Sequence, residues 1–190
     1  MAALPVARHQ KKAQKEGRTI VFIDESGISQ RPHRCRMWAP RGRTPVLQHC
    51  FNWRSMSAIA GLSFSGFHFQ LYVGSIKSPQ VADFLICLQR HIQTPLLIVW
   101  DRLSAHRSKL VKEYIDSQDG MIAIEYLPAY APELNPVEYI WAYWKHHELP
   151  NFCPKDYWQL GETARKSLRK MRRRKRLIPS FWKQASLWPE

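Results

Sequence analysis

The sequence contains little cysteine, and what there is follows no familiar spacing. The four cysteines of the 190-residue chain are Cys35, Cys50, Cys87 and Cys153. Because no two of them form a Cys-x-x-Cys pair, the spacing indicates neither a zinc knuckle nor a dense disulfide framework. We therefore expect reduced, mostly buried thiols, as in an intracellular protein.

Long apolar runs are also absent from the sequence. No run approaches the roughly 18 residues that a membrane-spanning helix needs, and residues 1–17 lack the apolar core of a signal peptide. The sequence therefore predicts a soluble, cytoplasmic protein without a membrane partner.

Acidic residues are scarce relative to basic ones. Fifteen Asp and Glu stand against 29 Lys and Arg, which gives a net charge of +14. Such a charge favours a polyanionic partner, and nucleic acid is the leading candidate. The 45% of apolar residues is enough for one domain with a substantial core, which argues against general disorder.

Two apolar runs each lead directly into acidic residues. Residues 20–23 precede Asp24 and Glu25, and residues 96–100 precede Asp101. Unbroken apolar runs of this length are typical of strands buried on both faces. If the strands are parallel neighbours, the carboxylates meet at one edge of the sheet, where like charges repel and a divalent cation is favoured. This pattern predicts a metal site.

The rest of the pattern mixes strands and helices. We expect strands over residues 19–24 and 121–127, a short extended segment over 35–39, and a hairpin over 57–63 and 67–73. We expect helices after an N-cap at Ser78, over residues 107–117 with Leu110 on the apolar side, after Asn135, and over residues 161–177. This order predicts an α/β fold with a mixed sheet of about five strands flanked by helices.

Three blocks of the sequence resemble the signature blocks of DDE transposases. They are residues 23–27, residues 100–106 and residues 127–138, and the last is the longest and most specific. The similarity is to the mariner superfamily, in particular its bacterial insertion-sequence branch of the IS-six-thirty type, and it spans about residues 18–149. It implies a ribonuclease H-like fold with Asp24, Asp101 and Glu138 as catalytic residues and metal ligands.

The resemblance also implies a function. It predicts a transposase catalytic domain that cleaves DNA and transfers strands at insertion-sequence ends, with two Mg²⁺ or Mn²⁺ ions held by carboxylates. The implied partners are transposon ends, target DNA, a second copy in a homodimeric synaptic complex, and a helix-turn-helix domain supplied separately or by frameshift fusion. The implied location is the bacterial cytoplasm at the nucleoid. The alternatives are a non-catalytic DNA-binding remnant and another ribonuclease H-like nuclease.

The first two acidic residues each allow a second interpretation. Asp24 could cap a turn with Ser26, which would leave Glu25 as the functional acid, although the resemblance favours Asp24. Asp101 could form an Asx turn ahead of the next helix. These alternatives stay open at the level of the sequence.

The third block and the residues around Asp101 also allow two interpretations. Glu138 falls at the third position of a helix capped by Asn135, which fits a capping box as well as catalysis. His106 matches a histidine of the family and could equally be structural. Arg102 replaces the asparagine that is common in the family, and its charge either helps to hold a phosphate or marks decay.

Basic residues supply the candidate DNA contacts. Residues 165–176 carry nine basic side chains out of twelve, which indicates either a phosphate-binding surface or a solvated helix face. Trp141 and Trp144 fit a core stripe better than a base-stacking surface. The candidate DNA-binding residues are Arg102, Lys145, Arg169, Arg172, Arg173 and Arg174, and Lys145 could equally be ordinary surface.

These patterns divide the chain into three parts. We expect a basic N-terminal tail or linker over residues 1–18, a ribonuclease H-like DDE catalytic domain over residues 19–150, and a basic helical extension over residues 151–190.

Overall fold

A computed structural model of the protein describes residues 4–48, 54–128 and 131–187. Cys50 lies outside these residues, as do Ala129 and Tyr130 of the third sequence block. None of the helices in the described ranges is long and apolar enough to cross a membrane.

The centre of the fold is a sheet of five strands in the order β3-β2-β1-β4-β5. β1, β4 and β5 run parallel, whereas β2 and β3 pair antiparallel with β1 and with each other. The predicted mixed α/β sheet of five strands is therefore confirmed. The strands are β1 (Thr19–Ser29), β2 (Ser55–Ser63), β3 (Gly66–Val73), β4 (Leu96–Trp100) and β5 (Ile122–Tyr126).

Helices cover both faces of this sheet. Apolar residues of α4, α5 and α6 form one buried cluster with one face, and those of α2 and α3 form a second cluster with the other. The helices are α1 (Leu4–Lys15), α2 (Ser78–His91), α3 (Lys109–Asp116), α4 (Pro136–Tyr143), α5 (Tyr157–Arg173) and α6 (Leu177–Gln184); a 3₁₀ turn (Pro132–Leu134) precedes α4, and a π-helical turn (Trp144–Glu148) follows it.

Alternation along β1 assigns its side chains to these two clusters. Ile20 and Phe22 belong to the cluster beneath α4, α5 and α6, whereas Val21 and Ile23 belong to the cluster beneath α2 and α3. Successive strand residues point to opposite faces, so the residue that follows Ile23 returns to the α4 face. β1 thereby places Asp24 on the side of α4.

The first strand is longer than predicted. The expected end at Asp24 is wrong, because β1 continues to Ser29 while β2 pairs with it antiparallel, from Phe22 opposite Leu62 to Ser29 opposite Ser55. Pairing with β2 gives the backbone of residues 25–29 hydrogen-bond partners, so the chain stays extended beyond Asp24. Asp24 therefore lies within β1 and not beyond its end.

Other element boundaries also differ from the prediction. Residues 35–39 form no strand. Lys77, not Ser78, is the N-cap of α2, and its backbone N–H is bound by the Gln80 side chain at 3.0 Å. Leu110 is exposed, although it was expected on the apolar side of α3. α5 begins four residues earlier than predicted because the Asp156 side chain caps it, accepting from the N–H of Gln159 at 2.7 Å.

The first and last helices of the described residues both contact strands of the central sheet. In α1, which falls within the segment expected as a tail or linker, Ala13 is 3% exposed and Lys12 bonds to Glu125 of β5. In α6, the indole of the buried Trp182 donates to the carbonyl of Ser63 at the end of β2. The division into three parts at residues 18 and 150 stays a prediction.

Candidate active site

The start of α4 is fastened directly to β1. The side chain of Asn135 caps the helix by accepting from the N–H of Val137 at 3.1 Å, and Pro136 takes the first helical position, as predicted. The amide of the same Asn135 donates to the carbonyl of Ile23 at 3.3 Å. One buried side chain therefore ends the proline-rich loop, begins the helix and holds it next to Asp24.

The three predicted acidic residues line one cavity. Asp24 comes from β1, Asp101 follows β4, and Glu138 lies in the first turn of α4, and all three border a cavity of about 490 Å³. The remaining lining comes from Arg102 and from residues of the two loops that follow β4 and β5. The structure thus brings together three carboxyl groups that are far apart in the sequence.

Asp24 is the most perturbed of the three. Burial raises its pKa well above the ordinary value, and the neighbouring carboxylates of Glu138, Glu25 and Asp101 raise it further. Against this, the indole N–H of Trp141 donates to Asp24 Oδ2 at 2.8 Å, which favours the charged form. A carboxylate with several acidic neighbours is stabilised by a cation in their midst.

Asp101 is held from two sides. Its Oδ1 accepts from the N–H of Leu103 at 3.0 Å and from Nδ1 of His106 at 2.9 Å. Burial raises the pKa of Asp101, but these hydrogen bonds outweigh burial and leave the pKa below its ordinary value. The bond to Leu103 confirms the Asx-type turn, which therefore exists together with a place on the cavity.

Glu138 does not close a capping box. The N–H of Asn135, which such a box would bind, donates to the carbonyl of Pro132 at 2.9 Å. Partial burial raises the pKa of Glu138, nearby Lys145 lowers it, and Asp101 raises it. The carboxylate is exposed and oriented toward the cavity, where it is available to a ligand.

Glu25, the alternative candidate, has a different partner. Its Oε1 accepts from Nε2 of His106 at 2.8 Å, and His106 stacks on Trp100 with ring centroids 4.3 Å apart. Burial lowers the pKa of His106, but its hydrogen bonds to Asp101 and Glu25 raise it more, to about 9. His106 is therefore charged at neutral pH and bridges the two carboxylates.

Trp141 contacts the candidate site in a way that the sequence did not predict. It is 3% exposed and belongs to the core, as predicted, but its indole also donates to Asp24. Two signals were present in the sequence. Trp141 lies three residues after Glu138 and so shares its helix face, and a buried tryptophan usually finds a partner for its N–H.

Two of the predicted basic residues lie close to the carboxylates. Arg102 lines their cavity, and its guanidinium lies 5.5 Å from the ring centre of Tyr126. Burial lowers the pKa of Lys145, whereas Glu138 and Asp24 raise it. The site thus carries positive charge at its border as well as negative charge at its centre.

The predicted arginines of α5 and its end differ in their contacts. Arg169 and Arg172 line a cavity of about 340 Å³ against β3, and Arg169 and Arg173 line another of about 710 Å³. Arg174 instead donates to Glu148 Oε1 and to the hydroxyl of Tyr143, both at 3.0 Å. All four arginines line open grooves, and Arg174 is in addition held by contacts within the protein.

The chemistry of the cavity follows from its donors. Asp24, Asp101 and Glu138 offer carboxylate oxygens, which hard cations such as Mg²⁺ and Mn²⁺ prefer over nitrogen or sulfur ligands. The carboxylates come from three segments and border one cavity, which can admit a ligand. The donor set therefore fits divalent metal ions.

Solved structures of Mos1 transposase are similar in fold to this chain. The Mos1 strand transfer complex is 20% identical with a TM-score of 0.67, over 96% of this chain and 54% of that one. The catalytic domain of Mos1 mariner transposase is 17% identical with a TM-score of 0.63, over 95% and 83%. The chain thus spans little more than half of the longer Mos1 chains, and its ribonuclease H-like fold is confirmed.

Sequence comparison gives the family. No curated protein matches the chain. Residues 19–160, about three quarters of the sequence, match the family described as DDE superfamily endonuclease. The match includes β1 with Asp24, the loop after β4 with Asp101, and α4 with Glu138. The chain belongs to the DDE superfamily of endonucleases.

Proposed function

We propose that this chain is the catalytic domain of a transposase that cleaves DNA and transfers strands at insertion-sequence ends. The observation that carries the proposal is the meeting of Asp24, Asp101 and Glu138 at one cavity. Membership of the DDE endonuclease family and the Mos1-like fold support it. The net charge of +14 suits a DNA substrate.

The three carboxylates would hold two Mg²⁺ or Mn²⁺ ions. Mos1 paired end complexes and Mos1 catalytic domains have each been solved with Mg and with Mn. When bound, such ions supply activation of the attacking oxygen and stabilisation of the leaving oxygen. The chain's own contribution is orientation, because Trp141 fixes Asp24 and His106 fixes Asp101 through hydrogen bonds.

The finer assignments belong to the same proposal. They are the IS-six-thirty branch, a homodimer that pairs two transposon ends, target DNA as the second substrate, a helix-turn-helix domain from elsewhere, and action at the bacterial nucleoid. Mos1 structures described as paired end complexes support the pairing of ends. The three sequence blocks support the branch.

The proposal predicts metal-dependent nicking of supercoiled plasmid. Wild type should nick in Mg²⁺ or Mn²⁺, and Asp101→Asn should lower the rate by more than about a thousandfold while DNA binding persists. Glu133→Gln is the matched control, since it removes an exposed carboxylate of the 3₁₀ turn before α4 that does not line the cavity.

Other outcomes of this assay favour the alternatives. Cleavage of the RNA strand alone in a hybrid would indicate a different ribonuclease H-like nuclease. Absence of nicking, together with Mn²⁺ binding no tighter than in the Asp24→Asn, Asp101→Asn, Glu138→Gln triple variant, would indicate a non-catalytic DNA-binding remnant.

The arginines of α5 give a second prediction. If Arg169 and Arg172 contact phosphates, replacing both with Gln should reduce the slope of log K against log salt by about 0.9 for each contact. Arg90→Gln should leave the slope unchanged, because Arg90 is exposed on α2, on the opposite face of the sheet. Fluorescence anisotropy at several salt concentrations measures the slope, and equal slopes for all proteins would remove α5 from the DNA interface.

A further inference from the structure

A second group of metal-ligating side chains lies apart from the carboxylates. One ligand atom each from His33, Cys35 and His146 can be chosen so that all lie within 4.8 Å of one another. Nε2 of His33 is 3.3 Å from Nε2 of His146, and Sγ of Cys35 is 3.5 Å from Nδ1 of His146. None of the three lines the carboxylate cavity.

The backbone beneath these side chains is firmly held. His33 forms an isolated bridge with Pro150, and the carbonyl of His33 accepts from the N–H of Asn151 at 2.9 Å. The side chain of Asn151 then binds Cys35 twice, accepting from its N–H at 2.8 Å and donating to its carbonyl at 3.0 Å. The loop after β1 is thereby fixed against the residues that follow the π-helical turn, which carries His146.

Asn151 is suited to this double contact by its backbone. Its φ of 53° lies in the left-handed region, which asparagine tolerates better than most residues. The turn directs its side-chain amide back onto Cys35, so both oxygen and nitrogen of the amide are used. The ligand-bearing loop is therefore preorganised before any metal binds.

The donor set selects the type of metal. Two imidazole nitrogens and one thiolate suit Zn²⁺, a borderline-soft ion, and do not suit Mg²⁺ or Ca²⁺. Zn–N bonds of about 2.0 Å and Zn–S bonds of about 2.3 Å place tetrahedral ligand atoms about 3.3–3.6 Å apart. His146 can bind one ion through only one of its ring nitrogens. Its Nε2 lies 3.3 Å from His33 and its Nδ1 lies 3.5 Å from Cys35, so one of these spacings is already in the tetrahedral range, and the three ligand atoms together lie within 4.8 Å of one another.

The three side chains are also accessible. His33 and His146 are exposed and Cys35 is half-buried, so solvent and ions reach all three side chains.

We propose that His33, Cys35 and His146 form a zinc site whose fourth position is open to water. On binding, the Cys35 thiol releases its proton to solvent and the thiolate becomes a ligand. The ion joins the loop after β1 to the π-helical turn that continues α4, the helix of Glu138. It is a structural clamp beside the proposed active site and not part of the carboxylate set.

Zinc titration of the full chain tests this proposal. The reduced, metal-stripped protein is titrated with Zn²⁺ against a chromophoric chelator, with excess Mg²⁺ present to occupy the carboxylates. Wild type should bind one equivalent, and Cys35→Ser and His146→Gln should each bind at least about tenfold more weakly. Cys87→Ser is the matched control: that half-buried thiol lies 3.7 Å from Nδ1 of His91 and should not affect the affinity.

Cobalt provides a readout of the ligand itself. Co²⁺ should give thiolate-to-metal charge-transfer absorption in wild type and in Cys87→Ser, and this absorption should be lost in Cys35→Ser. Zinc should also raise the Tm of wild type but not that of Cys35→Ser. Circular dichroism of the metal-free proteins checks that each variant folds like wild type. If one of the variants does not fold, His33→Gln is used in its place.

Two results would overturn the proposal. One is the absence of stoichiometric zinc binding in wild type. The other is equal zinc affinity in wild type and Cys35→Ser. In that case, loss of zinc binding in the double variant Asp24→Asn, Asp101→Asn would place the ion at the carboxylates.

Discussion

The two faces of β1 carry neighbouring acids with opposite environments. Asp24 lies on the side of α4, with the carboxylates of Glu138 and Asp101 nearby and the indole of Trp141 as a donor. Glu25 lies on the other side of the strand and is bound to His106 at 2.8 Å. The two-residue period of a strand is what separates them.

The difference lies in where each acid finds positive charge. Glu25 pairs with His106, whose pKa is raised to about 9 by its two carboxylate partners despite burial. The acidic neighbours of Asp24 raise its pKa beyond the effect of burial. His106 thus neutralises negative charge on one face of β1, whereas on the other face Asp24 has no such partner among the described residues and, with its acidic neighbours, fits a divalent cation.

Variants of Asp24 and Glu25 should differ strongly in nicking activity. Asp24→Asn should lower plasmid nicking by more than about a thousandfold, whereas Glu25→Gln, which is isosteric, should stay within about tenfold of wild type. The reason is that Asp24 lines the carboxylate cavity and Glu25 does not. Initial nicking rates at saturating Mn²⁺ measure both. Equal losses in the two variants would mean that both faces of β1 belong to one site.

The next effect concerns stability on the Glu25 face. His106→Gln leaves two carboxylates without their shared cation, so the free energy of unfolding should fall by about 3 kcal/mol near neutral pH. Since the folded pKa of His106 is raised from 6.5 to about 9, its contribution is complete below pH 6.5 and is lost as the pH rises through 9. Urea unfolding in a chelator should therefore show wild type losing stability over this range and the variant losing much less.

His68 provides the control for that measurement. Burial lowers the pKa of His68, and nearby His91 and Arg172 lower it further, so it titrates below its ordinary range. His68→Gln should therefore keep the wild-type loss of stability between pH 6.5 and 9. A wild-type stability that does not change over this range would contradict a charged His106.

Local sequence predicts the centre of the sheet better than its limits. Residues 20–23 and 96–100 are unbroken apolar runs, and both lie in buried central strands. The end of β1 was placed five residues too early because its extension depends on pairing with β2, whose partner residues lie more than 25 positions away. The sequence of a strand does not by itself indicate pairing of this kind with a distant segment.

The site shows the same limit. The three carboxylates are predicted because they fall in recognisable sequence blocks. The structure places all three on one cavity, and their catalytic roles stay a prediction. The bond between Trp141 and Asp24 and the bridge from Glu25 through His106 to Asp101 join distant segments. They depend on which faces of the sheet and of α4 meet, and only the folded chain supplies this information.

Loss of the hydrogen bond from Trp141 to Asp24 should have a smaller effect than loss of the Asp24 carboxylate itself. Trp141→Phe keeps an aromatic ring in the core but removes the N–H that binds Asp24, so the pKa of Asp24 should rise further and about tenfold more Mn²⁺ should be needed for half-maximal nicking. Trp144→Phe is the matched control, because its buried N–H donates to Ser167 at 2.7 Å. Both variants should lose similar stability, about 1–3 kcal/mol, but only the first should change the Mn²⁺ requirement. If both variants change it equally, the indole of Trp141 serves packing alone, and the hydrogen bond has no part in preparing Asp24 for a metal ion.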